Sequence, residues 1–263
     1  LVSAHRWIPN GRDPRVPEIG VDHGEHERDA QRREQPRDRD PHGGEGKHEE
    51  ADIAAEDGLG DDHRDAMNEL IDGELDYQQW QGVTEIILSP GVPRKHPAIV
   101  AALEDGVEVI GDVELFVRKA QAPIIAITGS NGKTTVTTLV GEMAKAAGIA
   151  VKVGGNLGTP ALDLLDETAE LYVLELSSFQ LESTFSLKAA AATVLNISPD
   201  HMDRYDSLGE YHRTKQRIYL HAAHLIINRD DALTHPPLAQ GAQITRFTTG
   251  EPDLKDFGLH RQD

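Results

Sequence analysis

The chain has 263 residues, enough for one large or two modest domains, and its 45 acidic against 26 basic residues give a formal charge of -19. That balance argues against a nucleic-acid backbone or an anionic membrane as main partner. No cysteine is present, which excludes disulfides and thiolate metal sites, and no apolar run approaches the roughly 20 residues a membrane span needs. The start, Leu1-Val2-Ser3-Ala4-His5-Arg6, is not followed by the apolar stretch of a signal peptide. A cytoplasmic protein is expected.

Two unlike parts follow. From Asp22 to Asp52 there is no Val, Ile, Leu, Met, Phe, Tyr or Trp. Such a stretch buries too little apolar surface to offset chain entropy, so residues 1–66 are expected to be disordered. Their source is either a reading-frame error or a genuine charged tail. His23, His26, His42, His48 and His63 lack metal-site spacing and read as solvent-exposed histidines.

Beyond Met67 the pattern changes. Residues 84–88 read as a strand ending in the turn Ser89-Pro90-Gly91. A short helix over 97–104, a strand over 107–110 and a helix capped by Asp112 come next. Further strands are expected over 123–128, 150–153, 171–176, 192–197 and 224–228, with helical stretches between most of them. Short apolar strands alternating with helices imply an α/β fold, a parallel sheet covered on both faces.

The strongest signal is Ile124-Ile125-Ala126-Ile127-Thr128-Gly129-Ser130-Asn131-Gly132-Lys133-Thr134-Thr135. A buried strand enters a glycine-bearing turn and then a helix, whose apolar face is expected to be Val136, Leu139, Val140, Met143 and Ala147. Gly129 and Gly132 let the backbone wrap phosphate oxygens, with N–H groups and the helix start facing the anion. Lys133 suits charge between the outer phosphates, and the Thr134 hydroxyl suits Mg²⁺. Only two residues separate the glycines where four are usual, so the loop is a variant.

Three further residues draw attention. Glu175 stands near the carboxyl end of the strand Leu171-Tyr172-Val173-Leu174-Glu175-Leu176, where ligand crevices open. It reads either as a Mg²⁺ ligand or as a strand-end carboxylate in solvent. His201 lies in the loop Asn196-Ile197-Ser198-Pro199-Asp200-His201, a place for a metal or phosphate ligand, although a lone loop histidine is usually neither. Ser207 caps a helix to about Leu220 whose inward face carries Leu208, Tyr211, Lys215 and Ile218. Lys215 there either snorkels to the surface or is a functional amine with a lowered pKa.

Together these motifs resemble the Mur ligases. The resemblance rests on residues 128–135, on Gly154-Gly155-Asn156-Leu157-Gly158, on Leu174-Glu175-Leu176-Ser177-Ser178-Phe179-Gln180-Leu181-Glu182 and on Asp200-His201-Met202-Asp203-Arg204-Tyr205. The last two segments look like the D-glutamate-adding branch. Ser89-Pro90-Gly91-Val92 and Gly111-Asp112-Val113-Glu114-Leu115-Phe116 look like that branch's first domain and its passage into the central one.

The resemblance implies three parts: an anomalous segment over 1–66, part of a Rossmann-like domain for the UDP-linked substrate over 67–119, and a central ATP-binding domain over 120–263. It implies that Gly129, Ser130, Asn131, Gly132, Lys133, Thr134 and Thr135 hold ATP phosphates. It further implies that Thr134 and Glu175 ligate one Mg²⁺, that His201 engages a second, that Lys215 is carbamylated beside it, and that Gly91 and Asn156 touch the muramoyl substrate. The implied substrates are UDP-N-acetylmuramoyl-L-alanine, D-glutamate and ATP, joined through an acyl phosphate in peptidoglycan precursor synthesis by a monomeric enzyme. The expected uridine-binding turn and the family's last domain are both missing from these residues, so the chain alone is expected not to ligate D-glutamate. The other readings are a different Mur ligase, a folylpolyglutamate synthase-like ligase, or a noncatalytic ATP-binding remnant.

Overall fold

The structure is a computed structural model, and it describes residues 2–5, 75–80, 82–236 and 241–259. The chain divides into one unit of Leu1–Ile8 with Asp72–Asp263 and a second of Pro9–Ile71. The second unit, and with it most of the segment expected to be disordered, lies outside the described residues. The exception is β1, Val2–His5, which pairs antiparallel with β2, Glu85–Leu88, in the register Val2↔Leu88 to His5↔Glu85. Disorder therefore does not extend to these four residues, which precede the apolar-free stretch and find a free sheet edge.

β2 continues through α1, Pro97–Glu104, into the parallel strand β3, Glu108–Gly111. The helix starts as its sequence dictates: Pro97 needs no N–H partner at the first position, and His96 accepts from the Ala98 amide. Its inner face, Ala98, Ile99 and Ala102, closes a small core with Trp80, Ile86, Leu88 and Val109. The helix α2, Asp112–Lys119, follows at once. Gly111 is its N-cap and Asp112 opens its first turn, so the cap expected at Asp112 falls one residue earlier.

The second sheet has six parallel strands. They are β4 Ile124–Thr128, β5 Val151–Gly155, β6 Leu171–Glu175, β7 Ala191–Val194, β8 His224–Asn228 and β9 Gln243–Phe247. Their order is β5-β6-β4-β7-β8-β9. The helices α3, Lys133–Ala146, α4, Ser178–Glu182, and α5, Leu208–Gln216, connect them. The chain leaves β4 toward one side and later crosses it to build the other, so the carboxyl end of β4 lies at a topological switch point. The α/β fold class and the expected strands are present to within a few residues. β9 was not anticipated: Gln-Ile-Thr-Arg-Phe is mostly exposed and lacks the apolar run of an inner strand.

One expected face is different. In α3 the fully buried residues are Thr137, Gly141 and Ala144, flanked by half-buried Val136 and Val140, while Leu139 and Met143 are exposed. The helix lies so close to β5 that a Cβ at Gly141 would stand 2.5 Å from a Val153 methyl. Bulk is excluded there, so small residues face the sheet and the larger apolar ones turn outward.

Candidate phosphate and metal site

The phosphate-loop geometry starts from Thr128. Its side chain is fully buried and its hydroxyl donates to the Leu176 carbonyl at 2.6 Å. The chain then passes β7 so closely that a Cβ at Gly129 would stand 3.0 Å from the Leu195 Cβ, at φ 155°. Gly132, at φ 78°, is the left-handed N-cap from which α3 starts. Both glycines of the motif are thus required, one by proximity and one by conformation.

The turn is tied to the loop after β7. The Ser130 amide donates to the Asn196 carbonyl at 2.9 Å, and the Asn131 amide to Asn196 Oδ1 at 2.8 Å. Asn196 Nδ2 returns a bond to the Asn131 carbonyl at 3.0 Å. The Ser130 hydroxyl accepts from the Ser198 amide at 2.9 Å and lies 3.0 Å from the Tyr211 hydroxyl. Asn196 and Ser198 were not singled out in the sequence. Their signal was present in the polar loop at a strand end, but nothing local said which loop they would reach.

Lys133 donates to the Ser130 carbonyl at 3.1 Å, folding its ammonium back over the loop. The Thr134 hydroxyl donates to Glu175 Oε2 at 2.9 Å, and Asn156 Nδ2 donates to Oε1 at 3.0 Å. Glu175 is 2% exposed, so its reading as a solvated strand-end carboxylate does not hold. Octahedral Mg²⁺ at about 2.0–2.1 Å from each oxygen puts adjacent ligands about 2.9 Å apart. Thr134 and Glu175 bring two hard oxygen donors side by side at the loop, the donor chemistry that Mg²⁺ takes.

Lys215 is also 2% exposed, so it does not snorkel. It donates to the Thr128 hydroxyl at 3.3 Å and lies over the Tyr211 ring at 4.9 Å. Burial, reinforced by the charge of Lys133, lowers its pKa to about 7, against the opposing pull of Asp200 and Glu175. Tyr211 and Ile218 share its buried face and Leu208 is half-buried, as the spacing predicts.

His201 makes no hydrogen bond to Thr134 or Glu175. It adopts φ 54°, packs against the Phe179 ring at 4.7 Å between centroids, and lies 3.5 Å from Asp200. Among the described residues no group of three or more His, Asp or Glu side chains converges as a preformed metal cluster. Gly91 is exposed in the turn after β2, and Arg204 anchors that turn by donating to the carbonyls of Pro90 at 2.7 Å and Val92 at 3.3 Å. The structure thus joins Thr134, Glu175 and Asn156 by direct hydrogen bonds. It sets Lys215 against Thr128 under the same loop, and it leaves His201 and Gly91 on the flanking loops.

A parallel sheet with this loop at its switch point, a lysine over the loop and a hydroxyl–carboxylate pair at its rim define an α/β protein of the phosphate-loop class. Comparison with known proteins narrows the class. A family described as Mur ligase middle domain matches residues 127–258, and one described as Mur ligase MurD-like, N-terminal domain matches residues 57–111. The chain belongs to the Mur ligase family.

Among its relatives is a UDP-N-acetylmuramoylalanine–D-glutamate ligase of Hahella chejuensis, 56% identical over 190 residues, which are 72% of this chain and 42% of that protein. The protein of the same description from Pseudomonas aeruginosa is 56% identical over 191 residues, 73% of this chain and 43% of its own length. The match thus spans less than half the length of these relatives. A solved structure, MurF from Acinetobacter baumannii, is 25% identical over 51% of this chain and 33% of its own, with a TM-score of 0.42. Among the described residues no helix is long and apolar enough to cross a membrane.

Proposed function

We propose that this chain provides the nucleotide-binding part of an ATP-dependent ligase that adds D-glutamate to UDP-N-acetylmuramoyl-L-alanine, a cytoplasmic step of peptidoglycan precursor synthesis. The observation that carries the reading is the Thr134–Glu175 oxygen pair, 2.9 Å apart at the rim of the phosphate loop. The named D-glutamate ligases among the relatives supply the substrate class.

In this reading the turn from Gly129 to Thr135 holds the ATP phosphates, its amides at the start of α3 facing them while those of Ser130 and Asn131 stay bonded to Asn196. Lys133 swings from the Ser130 carbonyl to the γ-phosphate, where charge develops during transfer. Thr134 and Glu175 would hold one Mg²⁺, and His201 would engage a second. Bound Mg²⁺ supplies charge neutralisation of the phosphates. A carboxylate oxygen of the substrate bonds to the γ-phosphorus while the bond to ADP breaks, giving an acyl phosphate. The D-glutamate amine then bonds to the acyl carbon, loses a proton, and phosphate departs with the C–O bond. Asn156 and Gly91 touch the muramoyl substrate, residues 67–119 belonging to the part that receives it and residues 120–263 to the ATP-binding part. The enzyme works as a monomer.

Lys215 has its own role. An amine with a pKa of about 7 is substantially neutral at physiological pH. Its nitrogen bonds to the carbon of CO₂ and releases a proton, leaving a carbamate anion beside the metal region.

The test is a chimera. Residues 127–258 of this chain replace the matching stretch of the Pseudomonas aeruginosa ligase, and ADP release is followed with each substrate in turn. Release that depends on both UDP-N-acetylmuramoyl-L-alanine and D-glutamate is expected. Lys133→Ala is expected to lower kcat on the order of 10²–10³-fold. Lys215→Ala is expected to lose most activity and regain part with added formate. A folded chimera indifferent to either substrate, or to Lys133→Ala, defeats the assignment.

A further inference from the structure

Away from the phosphate loop, a cleft of about 230 Å³ opens between the segment before α1 and the α4–α5 pair. Four cations line it, Arg94, Lys95, Arg204 and Arg217, against two carboxylates, Glu182 and Glu210. Both carboxylates are already engaged. Glu182 binds Arg204 at 3.0 Å and accepts the Tyr205 hydroxyl at 2.6 Å. Glu210 lies 3.0 Å from Lys95, which also binds Asp206 at 2.7 Å.

Arg94 and Arg217 have no carboxylate within ion-pair distance among the described residues. Their partners are carbonyls: Arg94 Nη1 donates to Val109 at 2.7 Å, and Arg217 donates through Nε to Leu181 and through Nη2 to Thr184, both at 2.8 Å. Carbonyls satisfy an N–H without neutralising the charge. The two guanidinium groups also share one ring, at 5.2 and 5.1 Å from the Phe185 centroid. Burial lowers the pKa of both, and the charge of Arg217 lowers that of Arg94 further; the opposing pull of Glu182 on both and of Glu114 on Arg217 does not offset this. A third guanidinium nitrogen, Arg204 Nε, is buried with no hydrogen-bond partner. Two half-buried like charges and an unspent donor are costly unless an anion completes them.

We propose that the Arg94–Arg217 cleft is a binding site for a small dianion, a phosphate group or a dicarboxylate, separate from the phosphate loop. Arg94 Nε and Nη2 and Arg217 Nη1 have no hydrogen-bond partner among the described residues, and planar guanidinium forks suit either oxyanion. The cleft volume admits a small organic anion.

The test uses the full 263-residue chain carrying Lys133→Ala, so that the phosphate loop does not compete. Inorganic phosphate and glutarate are titrated separately at constant ionic strength, with chloride as the control, by calorimetry and by the shift in melting temperature. At least one dianion is expected to bind and stabilise where chloride does not. Phosphate alone identifies a phosphate-bearing ligand, glutarate alone a dicarboxylate, and both a general dianion site. Arg94→Gln is expected to weaken binding on the order of tenfold, the loss of charge-assisted hydrogen bonds. Arg94→Glu, which pairs with Arg217 and so retains the fold, is expected to abolish it. No binding beyond chloride, or unchanged binding in the folded Arg94→Glu chain, overturns the proposal.

Discussion

At the scale of single residues the site is governed by burial. Lys215 is the clearest case. Its folded-state pKa of about 7 lies below the ordinary lysine value of 10.5. Between those values the unfolded chain holds one more proton than the folded chain, so raising the pH favours folding. The cost of burying Lys215 is therefore full below pH 7 and disappears as the pH approaches 10.5. In metal-free, CO₂-depleted buffer, Lys215→Met is expected to be more stable than the parent at pH 7. That advantage is expected to shrink by about 1.4 kcal/mol per pH unit between 7 and 10. Denaturant unfolding across that range checks it, and a pH-independent difference refutes it.

Glu114 shows the opposite sign. Burial pushes its carboxyl up, but bonds from the Ser186 and Phe185 amides, the Ser186 hydroxyl and Arg118 outweigh burial and hold it below the usual range. Its contribution is present above the unfolded pKa and lost as the pH falls through the folded one. Glu114→Gln is expected to destabilise the chain at pH 7 and to converge with the parent in acid. A variant whose deficit persists unchanged below pH 3 contradicts the linkage.

At the scale of elements the close approach of β5 to β6 decides which side chains meet. Gly155 takes φ 102°, and a Cβ there would stand 2.4 Å from the Glu175 carbonyl oxygen. That carbonyl accepts from the Asn156 amide at 2.8 Å, so the same strand ends carry the carboxylate and its amide partner. Gly148 also has positive φ, 79°, but nothing stands within 4 Å of its would-be Cβ. Gly148→Ala is expected to cost about 1–2 kcal/mol, the left-handed backbone term alone. Gly155→Ala is expected to cost more than about 3 kcal/mol and to weaken nucleotide·Mg²⁺ binding, since Glu175 must move. Equal losses for the two variants refute the steric account. The same argument explains α3: its apolar residues are readable from spacing, but which face docks was set by the space Val153 leaves.

At the scale of the whole molecule, several ties among the described residues join the part around the first sheet to the part around the second. Arg204 reaches from the loop after β7 to the carbonyls of Pro90 and Val92 and to Glu182. The Gly111 amide donates to the Ser183 carbonyl at 3.0 Å, and Glu114 collects the Phe185 and Ser186 amides. Arg204→Gln leaves Glu182 without its cation and is expected to cost about 3 kcal/mol. The loss is expected to be local. The Val92 amide, bonded to Ser89, is expected to exchange faster, with amides of β4 and β6 little changed. Uniform acceleration of both sheets, or none in either, contradicts a local tie.

The sequence by itself determined the periodic features. Alternating apolar runs specify the parallel sheet, Gly129 and Gly132 specify the phosphate turn, and Ser207 specifies the start of α5, because each depends on neighbours a few residues away. Several separated motifs in the right order carried the resemblance to the family. Only the tertiary structure decided the fate of the polar groups. Glu175 and Lys215 each had two readings in the sequence, because burial is set by distant chain. Thr134 lies 41 residues from Glu175, Lys215 lies 87 from Thr128, and Asn131 lies 65 from Asn196. Arg94 and Arg217 are ordinary surface arginines in the sequence, and only folding places them over one ring, with no carboxylate at ion-pair distance among the described residues. Hydrophobic periodicity is a local property, whereas the partner of a buried charge depends on which loops the sheet order brings to the same end.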